Sequence, residues 1–114
     1  MAYIREYGGP YLYEFDGRYF RRYGGPYLYE FDGRYFRKYG GAYEFEVCGD
    51  MIRRYGGPYL LQFDGRYLRK YGGPYEYELV NDRYIRPYGG PYKWEIVGAL
   101  TRREIMGLLI FLFC

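Results

Sequence analysis

Residues 7–22 read Tyr-Gly-Gly-Pro-Tyr-Leu-Tyr-Glu-Phe-Asp-Gly-Arg-Tyr-Phe-Arg-Arg, and residues 23–38 repeat them with one change, a final Lys. Further units begin at Tyr39, Tyr55, Tyr71 and Tyr88, so the step is 16 residues, with one step of 17. A unit this short cannot bury an apolar face alone, and a fixed period means that each unit leans on its neighbours. The chain is therefore read as one repeat domain over residues 1–114. Its units are 7–22, 23–38, 39–54, 55–70, 71–87 and 88–97, preceded by an incomplete unit at Ala2 to Glu6.

Each unit carries the pattern of a β-hairpin. Tyr11, Tyr13 and Phe15 alternate with Leu12, Glu14 and Asp16, and Asp16-Gly17 is a strong two-residue turn signal. Such a turn pairs Phe15 with Arg18 and Tyr13 with Phe20. The following Tyr23-Gly24-Gly25-Pro26 is read as a four-residue loop, because Pro26 has no N–H to close a tighter one. Both connections then keep the same register, and the chain becomes about twelve short antiparallel strands in one meander.

Reading across these strands separates two faces. One carries the apolar row Phe20, Phe36, Ile52, Leu68, Ile85 and Trp94, flanked by Phe15, Phe31 and Phe63 and by tyrosines alternating with Arg22, Lys38, Arg54 and Lys70. The other is striped with Glu14, Tyr19, Glu30, Tyr35, Glu46, Gln62, Tyr67, Glu78 and Tyr84 beside Arg21, Arg37, Arg53, Arg69 and Arg86, and is expected to be solvated. After Val97 the repeat stops. Thr101 and Glu104 have capping-box spacing, and the run Ile105 to Phe113 is apolar around its whole circumference, which predicts a buried helix over 101–113 on the aromatic face.

The expected fold is mainly β: an open antiparallel meander of 16-residue hairpin repeats with a single C-terminal helix. Closure into a barrel around that helix is the alternative. It requires strands tilted by about 35–45° and a matching stagger, whereas units that advance without net shear supply none. One helix covers only part of an open apolar sheet, so the remainder is expected to bury itself against a second copy in a two-fold dimer. The self-association face is assigned to Phe20, Phe36, Ile52, Leu68, Ile85, Trp94, Leu108 and Phe111.

These glycine- and tyrosine-rich hairpins resemble MORN repeats, which stack into a single-layer meander and in some members end in a C-terminal helix. The resemblance implies a scaffold or a protein- or lipid-contact surface. It transfers no functional residue.

Composition narrows the function further. With no His and no Ser, no familiar nucleophile–base pair can be assembled. Cys48 stands where other units have their turn Asp, without an evident base, and is read as drift. Asp16, Asp32 and Asp64 lie one per hairpin, without the clustered oxygens calcium wants, and are read as turn residues. No catalytic residue, cofactor or metal is expected. The formal charge of +3 creates no basic block. The two cysteines and the absence of a signal-like N-terminus point to a cytoplasmic protein, and the ten-residue apolar run from Ile105 to Cys114 is short of the roughly 20 a spanning helix needs.

The expected function is a non-enzymatic structural or protein-interaction module that self-associates through its aromatic face. The alternative is a module that binds glycans or single-stranded nucleic acid, with Tyr19, Arg21, Tyr35, Arg37, Arg53, Tyr67, Arg69 and Tyr84 as the interaction surface.

Overall fold

The structure, a computed structural model, describes residues 1–114. The strands are β1 (Ala2–Glu6), β2 (Tyr11–Phe15), β3 (Tyr19–Arg22), β4 (Tyr27–Phe31), β5 (Tyr35–Lys38), β6 (Tyr43–Cys48), β7 (Met51–Arg54), β8 (Tyr59–Phe63), β9 (Tyr67–Lys70), β10 (Tyr75–Val80), β11 (Tyr84–Pro87) and β12 (Trp94–Gly98). A single helix, α1 (Arg102–Phe113), follows them. All strands are antiparallel to their neighbours, and β12 pairs with β1, so the sheet is a closed twelve-stranded barrel and not the open meander expected.

The expectation fails at the Asp-Gly turn. Asp16 N–H donates to Tyr19 O at 3.3 Å, and Asp16 Oδ1 accepts from the N–H groups of Arg18 and Tyr19 at 2.9 and 2.8 Å. The side chain thus holds Arg18 and Tyr19 in place, and the two central residues are Gly17 and Arg18 rather than Asp16 and Gly17. Gly17 supplies the positive φ, 99°, that a leading central position of this kind demands. Moving the turn centre by one residue moves the pairing by two: Phe15 faces Phe20, and Tyr13 faces Arg22. The turns at Asp32 and Asp64 are built the same way.

This displacement supplies the missing shear. Phe20 faces Tyr29 across one loop, and Tyr29 faces Lys38 across the next turn, two residues beyond Phe36, the repeat equivalent of Phe20. Two residues per repeat, over six repeats around the ring, give a stagger of about twelve for twelve strands, which corresponds to a tilt of about 37°. The sixth repeat is assembled from both ends of the chain. Ile96 on β12 faces Ile4 on β1, as Phe15 faces Phe20, so the incomplete first unit and the truncated last one are two halves of one hairpin.

Closure turns the apolar face inward. Phe20, Phe36, Ile52, Leu68 and Ile85, assigned above to a self-association face, are at most 2 % exposed and line the barrel interior with Phe15, Phe31 and Phe63. Leu108 is fully buried, while Trp94 and Phe111 are half-buried. No broad apolar sheet remains that needs a second copy to cover it, so the physical reason for expecting a dimer through these residues is removed.

The helix lies inside the ring. Residues Ile105 to Ile110 are all buried, which is what a helix apolar on every side requires. Phe111 packs against Tyr13, Phe20 and Tyr29, while Phe113 packs against Tyr77, six strands from Tyr29 in a ring of twelve and therefore on the opposite side. Dimensions agree: twelve strands at ~4.8 Å spacing and this tilt enclose a cylinder ~23 Å across. A helix 10–12 Å wide leaves ~6 Å on each side for the side chains of the wall. The molecule is a disc of 36 × 36 × 18 Å, and twelve helical residues rise ~18 Å, enough to run from one mouth to the other. Thr101 and Glu104 form the anticipated capping box, with Thr101 Oγ1 accepting from Glu104 N at 3.1 Å and Glu104 Oε1 accepting from Thr101 N at 2.8 Å.

Candidate functional site

With the interior filled, chemistry is confined to the outer wall and the two mouths. The wall is organised around glutamates at one position per repeat. Glu30 accepts from Arg18 at 2.6 Å through one carboxylate oxygen and from Arg37 at 2.7 Å through the other. Glu46 is bridged in the same way by Arg34 and Arg53, Glu78 by Arg66 and Arg86, and Glu95 by Arg83 and Arg5. Glu14 takes Arg21 at 2.8 Å and the N–H of Gly24 at 3.2 Å. These carboxylates are only 2–6 % exposed, so the face expected to be solvated hides its acids beneath its own arginines and tyrosines.

The covering is one side chain thick, and hydrogen bonding therefore outweighs desolvation. Arg53 and Arg34 hold Glu46 below the usual glutamate value, as Arg66 and Arg86 do for Glu78, and as Arg21 and Gly24 N do for Glu14. At Glu95 burial pushes upward, but Arg83 and Arg5 more than offset it. Gln62 occupies the sixth glutamate position, and Asp50 stands where its first arginine would be. Arg69, left without a carboxylate, donates to Gly73 O at 3.4 Å.

Tyrosines make a second sixfold pattern on the same wall. A register shift between Phe20 and Arg21, where Arg21 faces Tyr27, turns Tyr27 outward, and its equivalents in β2, β6, β8 and β10 sit at the same kind of shift. These rings were expected on the aromatic face. Instead Tyr27 stacks on Tyr19 with ring centroids 4.3 Å apart, and Tyr39 meets both edge-on. The same triad recurs as Tyr35–Tyr43–Tyr55, Tyr67–Tyr75–Tyr88, Tyr3–Tyr11–Tyr23 and Tyr84–Tyr92–Tyr7. In the remaining place Met51 replaces the inner ring beside Tyr59 and Tyr71.

The eight residues singled out from the sequence therefore lie on one outer surface, but they are engaged. Tyr19, Tyr35, Tyr67 and Tyr84 each have an arginine over the ring, 5.2–5.6 Å from the centroid, and a tyrosine stacked beside it. Neither ring face is free to stack on a sugar or a base. Arg21, Arg37 and Arg53 are held in ion pairs. The tyrosines that are available open each unit, Tyr7, Tyr23, Tyr39, Tyr55, Tyr71 and Tyr88, each 54–58 % exposed. They are visible in the sequence as the first residue of every Tyr-Gly-Gly loop; which face they would take was hidden by the irregular register beside them.

The two mouths differ. At the turn end α1 is tied to the wall: Arg102 donates to Asp50 at 2.9 Å and to Phe63 O at 3.1 Å, and Arg103 donates to Gly33 O at 2.8 Å. At the loop end the helix emerges with Phe111, Leu112 and Phe113 half-buried, and Arg22, Lys38, Arg54 and Lys70 stand exposed as the last residues of their strands. No cluster of His, Cys, Asp or Glu suited to a metal ion occurs, every buried polar side-chain atom has a partner, and Cys48 and Cys114 are unpaired. No helix is long and apolar enough to cross a membrane. Against protein-family models, curated proteins and solved structures alike, the chain finds no match.

Proposed function

We propose that the chain is a non-enzymatic protein-interaction module whose contact surface is the tyrosine belt of its outer wall. One observation carries this reading: six tyrosines at equal steps around a closed ring are more than half exposed, although each opens a loop next to the wall and packs against a wall tyrosine. Tyrosine offers a large, amphipathic contact with two side-chain torsions, and it is enriched where proteins bind one another. Partners include a second copy of the chain, which would meet this one through the belt and not through the interior residues.

Light scattering over a concentration series tests self-association directly. A dimer that dissociates on replacing Tyr39 and Tyr55 by Ser supports the reading, whereas a dimer indifferent to those changes places the contact elsewhere. A glycan and oligonucleotide panel tests the second reading, which the same exposed tyrosines favour. Binding to the panel that disappears with the two serines, from a protein that stays monomeric, would replace a protein partner by that ligand class.

A further inference from the structure

Beside the emerging end of α1 the barrel wall opens into a cavity of about 490 Å³ at the loop mouth. Its walls are aromatic and aliphatic: Tyr13 and Tyr29 from β2 and β4, Trp94 from β12, and Phe111 and Leu112 from the helix. The one charged group lining it is Arg22. Most arginines of the wall are matched to a carboxylate, but Arg22 forms no ion pair, and Glu6, Glu44 and Glu76 do not line the cavity. A cavity in the 300–1,000 Å³ range, with six aromatic or aliphatic residues among its seven lining residues and a single charged anchor, has the make-up of a small-ligand site.

We propose that this cavity binds an anionic amphiphile, a medium- or long-chain carboxylate whose chain lies against Trp94, Tyr29 and Phe111 and whose carboxylate pairs with the Arg22 guanidinium. Arginine presents a planar fork that takes a carboxylate through two parallel hydrogen bonds. A fully apolar ligand would leave that fork unmatched, and a small anion would leave the aromatic walls wet. A second cavity of about 220 Å³ lies across the helix tip, against Phe45, Leu61 and Phe113. It is less than half the size of the first, and of its two cations Arg54 already rests over the Phe45 ring, 5.6 Å from the centroid, while Lys70 is an ammonium without the planar fork of a guanidinium. This site is separate from the tyrosine belt, and it stands or falls independently of it.

Trp94 is the sole tryptophan, so its fluorescence reports on this cavity alone. The experiment titrates the full chain with 11-bromoundecanoate, below its micelle concentration, and follows quenching of Trp94. Saturable quenching is expected, reversed by dodecanoate. Dodecanol, which lacks the charge, should compete about tenfold or more less well, and Arg22→Met should weaken bromoundecanoate by a similar factor. Arg54→Met should leave binding unchanged. Absence of saturable quenching overturns the proposal, as does equal competition by dodecanol and dodecanoate or an equal loss with Arg54→Met. The comparison of the two competitors uses the unmodified protein and needs no variant to fold.

Discussion

Gly107 sits in the middle of α1, where glycine is an unfavourable choice by about 1 kcal/mol relative to alanine. The reason lies opposite: a Cβ at this position would come within 2.5–2.9 Å of three atoms of the Phe31 ring, itself 1 % exposed. Overpacking of a filled core costs typically 1–3 kcal/mol, so the clash outweighs the helix preference and Gly107→Ala should destabilise the protein in urea unfolding. Glu46, Glu78, Glu14 and Glu95 make a different forecast. Their folded-state values lie below the ordinary 4.5, so each contributes stability that is complete above that pH. That contribution is lost as pH falls below ~4.5 through the depressed values, and thermal unfolding between pH 3 and 7 should show a melting point falling on the acid side. Glu46→Gln should flatten this slope. The positions of these glutamates are plain in the repeat, but their concealment is not, because it depends on arginines reaching from both neighbouring strands at once.

At the scale of the element, the hairpin turn is the decisive unit. Asp64 accepts from Arg66 N at 2.9 Å and Tyr67 N at 2.7 Å, so Asp64→Ala should cost about 1 kcal/mol in chemical denaturation, through two N–H groups left to solvent. Hairpins, helix, cap and loop positions were all legible, since alternation, Asp-Gly and Thr101…Glu104 each act over a few residues. The register was not. Asp-Gly is compatible with a turn centred on either pair of residues, and the choice falls to two backbone N–H groups donating to one carboxylate. The helix shows how departures from the repeat acquire meaning. A ring of six similar repeats offers α1 six similar rotational settings, and Asp50, which replaces the usual arginine, receives Arg102 in the one that also sets Gly107 against Phe31. Arg102→Met should therefore leave the barrel folded while loosening the helix, seen as faster hydrogen exchange at residues 105–110 than in the unmodified chain.

For the whole molecule, circumference and contents must match. Removing one complete unit, residues 23–38, leaves ten strands with a stagger of about ten, so the tilt is unchanged while the diameter shrinks from ~23 to ~19 Å. The annulus around the helix then falls to ~4 Å, too thin for phenylalanines facing a helix of large side chains. The five-repeat chain should expel its helix and bind a hydrophobic dye. A five-repeat chain as stable as the original, with protected amides at residues 105–110, would show that the filling does not set the ring size. Closure itself left a trace in the sequence: half a unit before Tyr7 and half a unit after Tyr88 amount to one whole. The assumption of zero shear concealed its significance.

The seam between β1 and β12 joins residues 2–6 to residues 94–98. On the ribosome, the first strand leaves the exit tunnel long before the one that must lie beside it, and the plug that fills the ring is made after both. During translation the nascent sheet therefore carries a bare edge at each end and an unfilled concave face. Completion of the ring therefore waits until residues 94–113 have emerged to join the strands made before them.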